Sequence, residues 1–251
     1  MVNFVGAGCG AADLITVRGK ALLEKADVII YAGSLVNPEL LNYSKTDCEI
    51  HNSAYMTLDE VISVMEKAEK SGKNTVRLHT GDPCLYGAIR EQMDRLDELD
   101  IDYEICPGVS SFCGAAAALK AEYTLPEVSQ TIIITRMTGR TSVPDSESIE
   151  KLAAHGSTMV IFLSTGLLKE LTEQLITGGY TSKTPAAIVY KASWADEKVC
   201  RCTVGTLFET AEKNGIKKTA LITVGNFLGD DYALSRLYDE GFETEFRKAK
   251  K

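Results

Sequence analysis

Residues 6–13 read Gly-Ala-Gly-Cys-Gly-Ala-Ala-Asp and follow directly on the apolar run Val2–Val5. Glycines at alternate positions let a backbone turn sharply and bring N–H groups close to a ligand. Two nucleotide motifs are tested against this stretch and fail. The dinucleotide fingerprint needs Gly-x-Gly-x-x-Gly and a carboxylate about 20 residues on. Here the spacing is Gly-x-Gly-x-Gly, and the next apolar run, Val28–Tyr31, ends in Ala32-Gly33-Ser34, with Asp27 at the wrong end. The phosphate-binding P-loop is excluded because no Gly-Lys-Ser/Thr follows. Two further glycine-containing stretches end apolar runs in the same way. His79-Thr80-Gly81-Asp82-Pro83 follows Thr75–Leu78, and Cys106-Pro107-Gly108-Val109-Ser110-Ser111 follows Ile101–Ile105. In open α/β sheets, ligands bind beyond the carboxyl ends of strands.

The elements that position these loops alternate. Helical periodicity is predicted over 14–25, 58–68, after Gly87 through Met93, Leu96 and Leu99, and over 112–121. Residues 123–130 carry a proline and no periodicity and are read as the connection between an N-terminal α/β domain, 1–122, and a C-terminal one, 123–251. In the second, strands are expected at 131–135, 159–163, 186–190, 198–204 and 220–224. Helices are expected at 167–176 and 207–213, with a further one capped by Asp145 or Ser146. The tail, Arg247–Lys251, reads as a solvated basic end.

Composition sets limits. The chain has 251 residues, 45% hydrophobic and 25% charged, ordinary for a globular protein. A net charge of −8 argues against a general nucleic-acid binder, which presents a basic face. No apolar run approaches the ~20 residues of a membrane span, and no export signal is visible, so the cytoplasm is expected. Seven cysteines at irregular spacing, with three histidines, read as reduced thiols rather than a metal site. Cys84, Cys106 and Cys113 are taken as small residues lining tight loops. His79 is taken as structural.

Three motifs in order carry a family resemblance: Gly6-x-Gly8-x-Gly10 with Asp13–Thr16 and Arg18-Gly19; Thr80-Gly81-Asp82-Pro83-x-x-Tyr86-Gly87; and Pro107–Ser111. Together they resemble the signatures of the tetrapyrrole (corrin/porphyrin) methyltransferase family across nearly the whole chain. The departure is at the first motif, where Cys9 replaces a usual proline and Ala11 or Ala12 a usual aspartate. Tyr31–Val36 and the stretch from Thr135 to Pro144 are similar to the subgroup acting at carbon 11 of precorrin-4, with or without cobalt. The resemblance implies two α/β domains with S-adenosylmethionine folded between them, S-adenosylhomocysteine as product, a small tetrapyrrole as substrate, no metal held by the protein, and a homodimer. It places the donor at Thr80, Gly81, Asp82, Leu85, Ser110 and Ser111, with looser alignments at Leu163 and Ala220. It assigns the macrocycle to Gly8, Gly10, Tyr31, Arg136 and Arg140, the arginines being suited to the carboxylates of such a ring. Asp82 is read either as a helix cap or as an orienting group for the donor, and Tyr86 as stacking or packing. No base is singled out. The rival readings are another precorrin, a diphthine-synthase-like or ribosomal RNA methyltransferase, and a non-catalytic nucleotide-binding module.

Overall fold

The computed structural model describes residues Met1–Ala249; Lys250 and Lys251, the end of the basic tail, lie outside the described residues. The chain forms two compact units: Met1–Ala115 with Lys191–Glu197, and Ala116–Tyr190 with Lys198–Lys251.

The first unit is built on five parallel strands, β1 (Val2–Gly6), β2 (Val28–Tyr31), β3 (Glu49–Asn52), β4 (Thr75–His79) and β5 (Tyr103–Cys106), in the order β3-β2-β4-β1-β5. β1 and β4 are buried along their whole length because helices cover both faces. Val5, Ile29, Val76 and Leu78 pack with Leu23 of α1 (Val17–Lys25) and with Leu40. Val2, Phe4, Val28 and Ile30 pack with Val61, Ile62 and Met65 of α2 (Leu58–Lys70) and Leu96 of α3 (Arg90–Glu98). Each such side chain contributes about 1.5–3 kcal/mol on burial. β1 leads to β2 on one side of the sheet and β4 leads to β5 on the other. The carboxyl ends of β1 and β4 are therefore the point where the winding reverses, the place where such sheets bind ligands.

Boundaries differ from expectation for identifiable reasons. The first helix begins at Val17 rather than Leu14, because the Thr16 hydroxyl accepts the Gly19 N–H at 3.0 Å and caps it. Ile101 is not in β5: its N–H bonds back to the Leu96 carbonyl at 3.0 Å, past a left-handed Asp100 (φ 56°). The last helix of this unit, α4 (Ser111–Leu119), starts at the third loop and runs on into the second unit.

The second unit holds β6 (Ile132–Arg136), β7 (Thr158–Phe162), β8 (Pro185–Tyr190), β9 (Lys198–Thr203) and β10 (Ala220–Val224), ordered β6-β7-β10-β8-β9. Only β6 and β7 pair in parallel. Ile161, Ile188 and Ile222 pack against α5 (Ile149–Ala153), α6 (Leu168–Thr177) and α7 (Leu207–Asn214). α5 is capped by Ser148, whose hydroxyl accepts the Lys151 N–H, and not by Asp145 or Ser146, which lie in a short 3-10 turn. The stretch 123–130 is bound to this unit: Thr158 donates its hydroxyl to the Tyr123 carbonyl (2.9 Å) and its N–H to the Ser129 hydroxyl (3.0 Å). Arg247 is fixed rather than frayed, donating to the carbonyls of Leu237, Asp239 and Phe242. Among the described residues no helix is long and apolar enough to cross a membrane.

Candidate active site

The three glycine loops meet backbone to backbone at the carboxyl ends of β1, β4 and β5. A methyl group on Gly6 would lie 2.5 Å from the Gly108 Cα and 2.7 Å from the Gly81 carbonyl oxygen. One on Gly108 would lie 2.7 Å from the Gly6 Cα. Gly8 and Gly81 exchange both hydrogen bonds, at 3.2 and 2.9 Å. Gly8 (φ 82°) and Gly81 (φ 60°) are both left-handed, a conformation that favours glycine. Glycine is thus required here for close approach.

Asp82 ties the second loop to the third. One carboxylate oxygen accepts the Cys84 N–H and the other the Gly108 N–H, both at 2.8 Å. Burial opposes its ionised form, yet hydrogen bonds from Cys84 and Gly108 outweigh that and hold the carboxyl below the ordinary range. Its negative charge therefore persists at neutral pH. The loop turns back on itself beyond this point, with Tyr86 (φ 57°) and Ala88 (φ 48°) left-handed. Gln92 holds that turn, donating to the Ala88 carbonyl at 2.9 Å. Gln92 is itself held by the buried Arg77, which donates to it at 3.0 Å and to the Ile30 carbonyl at 3.2 Å. Desolvation lowers the Arg77 pKa to about 10. His79 is buried against Phe4, and desolvation with the Arg77 charge lowers its pKa to about 3, so it is neutral. Ser110 is buried and Ser111, Thr80 and Leu85 are half-buried, all on the loops that Asp82 joins. Tyr31, half-buried at the end of β2, gives its carbonyl to Ser53.

The first loop departs from the open cradle its glycines imply. Its Gly8 N–H is spent on Gly81 and its Ala11 N–H on the Ser193 hydroxyl at 3.0 Å. The Gly10 carbonyl accepts from the buried Asn37 amide at 3.1 Å. Ser193 and Trp194 come from the β8–β9 connection, far away in sequence, and nothing in their spacing marks them.

In the second unit, Leu163 follows the end of β7 in a left-handed conformation (φ 52°) and is 62% exposed, an unusual state for a leucine. Ala220 opens β10, and its carbonyl accepts the Thr165 hydroxyl at 3.3 Å. Arg136 spends its guanidinium on its own loop, donating to the carbonyls of Met137, Thr141 and Ser142 at 2.8–3.2 Å. Arg140 is exposed on that loop, with no hydrogen-bond or ion-pair partner among the described residues.

A model of the tetrapyrrole (corrin/porphyrin) methylases matches residues 1–207. The chain belongs to that family. It is 57% identical to a cobalt-precorrin-4 C(11)-methyltransferase of Methanocaldococcus jannaschii over 251 residues, covering 100% of this chain and 97% of that protein. A solved cobalt precorrin-4 methyltransferase superposes with a TM-score of 0.89 at 46% identity, covering 91% of this chain and 96% of that one. A uroporphyrin-III C-methyltransferase from Thermus thermophilus, solved with S-adenosylhomocysteine, shares the fold at a TM-score of 0.73 and 22% identity, with coverages of 90% and 92%.

In this methylase the surroundings of several cysteines favour the protonated thiol. Burial raises the thiols of Cys113 and Cys202, the latter to about 11, and the Asp82 carboxylate raises that of Cys84. Gly114 of α4 packs on Cys9, where a methyl group would lie 2.7 Å from the Cys9 Cβ. A proline is usual in the family where Cys9 stands; here the Asn37 and Ser193 bonds hold the loop.

Proposed function

We propose that this chain transfers the methyl group of S-adenosylmethionine to carbon 11 of precorrin-4, in its cobalt-bearing or metal-free form, during corrin-ring synthesis. The observation that carries this reading is the full-length 57% identity to a C(11)-methyltransferase, joined to the seam of glycine loops at the sheet's winding reversal.

The residues suit the donor. Bound S-adenosylmethionine supplies an electrophilic methyl on a positively charged sulfur. Asp82 offers a carboxylate that stays ionised, and Ser110 a buried hydroxyl. Gly81 leaves room beside them: a methyl group there would meet Ser110 and Ser111 only at an ordinary 3.4 Å. Thr80, Leu85 and Ser111 complete the assignment in the first unit, with Leu163 and Ala220 in the second. Gly8, Gly10, Tyr31, Arg136 and Arg140 are assigned to the tetrapyrrole, the arginines to its carboxylates.

Charge on sulfur disappears as the methyl moves, so alignment is the main lever, contributing up to about 7–11 kcal/mol. His79, with a pKa of about 3, and Asp82, whose carboxyl hydrogen bonds hold low, are both weak proton acceptors at neutral pH. Positioning is therefore what these loops supply. The same reading takes the enzyme as a cytoplasmic homodimer that binds no nucleic acid. The charge of −8 supports the last point, and Leu234, Tyr238 and Phe246 are exposed apolar side chains of the kind that a second copy covers.

The test is incubation of the purified protein with S-adenosylmethionine and precorrin-4, with and without cobalt, read by mass spectrometry. One added methyl group, located at carbon 11, is expected. Binding of S-adenosylhomocysteine without methylation of either form refutes the substrate; failure to bind it refutes the enzyme class.

A further inference from the structure

The connection between β8 and β9 leaves the second unit's sheet and belongs to the first unit over Lys191–Glu197. It is a built turn. Lys191 (φ 47°) and Ser193 (φ 65°) are both left-handed, a conformation that persists in such residues only where surroundings enforce it. Lys191 pairs with Asp196 at 2.7 Å, and the Glu197 carboxylate accepts the Ser193 N–H at 2.6 Å. The Lys191 ammonium lies over the Trp194 ring, 4.9 Å from its centre.

From this turn two side chains reach the first glycine loop. The Ser193 hydroxyl accepts the Ala11 N–H at 3.0 Å and faces the Cys9 sulfur at 3.6 Å. The Trp194 ring edge lies so close to Gly10 that any side chain there would overlap it. Trp194 is the chain's single tryptophan, and it is half-exposed. A large flat ring left half in water beside a bare glycine is a surface for another flat apolar body.

We propose that Ser193 and Trp194 are positioning residues for the macrocycle: Ser193 fixes the Gly8–Ala12 loop, and the Trp194 indole is a wall against which the ring packs. This rests on the tetrapyrrole reading above.

The experiment compares wild type with Trp194→Leu, Trp194→Phe, Ser193→Ala and Ser193→Thr. It measures KM and kcat for precorrin-4, the Kd for S-adenosylhomocysteine by calorimetry, and amide exchange over residues 8–12. W194L raises KM about tenfold with kcat little changed, and W194F recovers most of it. S193A raises KM about fivefold and speeds exchange at Ala11, and S193T restores both. The S-adenosylhomocysteine Kd stays within about twofold throughout. An unchanged KM in W194L, or equal weakening of S-adenosylhomocysteine and tetrapyrrole, overturns the proposal. Wild type that methylates neither form of precorrin-4 sinks the substrate reading instead, and unaltered exchange in S193A then removes the loop-fixing role as well.

Discussion

Replacing Asp82 with alanine removes the acceptor for two backbone N–H groups, of Cys84 and Gly108, each at 2.8 Å. Hydrogen bonds to a charged group contribute about 1.5–3 kcal/mol each. The Cys84 amide is on the exposed side and water takes it over, so the smaller part of the loss falls there. The Gly108 amide is partly enclosed and is left without a partner. A cost of about 2–4 kcal/mol follows. At about 2–4 °C per kcal/mol for a chain of this size, the first unit melts roughly 4–16 °C lower. D82N keeps one acceptor oxygen and falls between the two. Since Thr80–Leu85 is the assigned donor loop, the Kd for S-adenosylhomocysteine rises at least about tenfold in D82A. The pH dependence has a definite sign. The folded carboxyl titrates below its ordinary 3.8, so its contribution is complete above that value and fades as pH falls through the lower folded value. The gap between wild type and D82A is therefore constant above about pH 5 and closes in stronger acid. Calorimetry and thermal unfolding on the same samples decide it. A melting point within about 2 °C of wild type, with donor affinity intact, means that Asp82 does not join the loops.

Gly108→Ala places a methyl group 2.7 Å from the Gly6 Cα, backbone that cannot give way locally; a loss of about 3 kcal/mol or more is expected, and a melting curve that overlays wild type would refute the seam. His79→Phe removes a ring whose pKa falls from 6.5 to about 3 on folding. Wild-type stability is complete above pH 6.5 and declines as pH falls toward 3, so the variant loses less between pH 6 and 4 in denaturant titrations; parallel curves count against this. Arg140→Ala raises the precorrin-4 KM without moving the melting point. Arg136→Ala does both, because it also frees the carbonyls of Met137, Thr141 and Ser142, and identical behaviour of the two variants contradicts that split.

Strands such as β2, β7, β8 and β10 were legible in the sequence because near-complete burial makes them apolar runs. Three others, ending in glycine loops, could be read from local pattern; β3 (Glu49–Asn52), partly exposed and without an apolar run, could not. What those glycines meet was not legible, since Gly6, Gly81 and Gly108 are neighbours only through the order β4-β1-β5. Asp82 was readable as a cap or as an orienting group. In the fold its oxygens are divided between a local turn at Cys84 and a distant amide at Gly108, and only the second is invisible from spacing. Because β4 has no outward face, the charge of Arg77 is carried inside by Gln92 and the Ile30 carbonyl. Ser193 and Trp194 sit in a stretch with no glycine, proline or periodic signal, and their importance depends on Gly10 and Ala11, far away in the chain.

The glycine-rich start of this sequence invites comparison with nucleotide loops, where free amides cradle phosphate. Here the chemistry runs the other way. Gly8 pairs with Gly81, Ala11 with Ser193, and Gly108 with Asp82, so these three amides are already spent within the protein. Beside them the seam offers side chains and charge: the Thr80, Ser110 and Ser111 hydroxyls and a carboxylate held ionised. That inventory suits a cationic sulfonium better than a pyrophosphate. A loop tied to its neighbours through such amides gains rigidity, which is what a reaction governed by alignment requires.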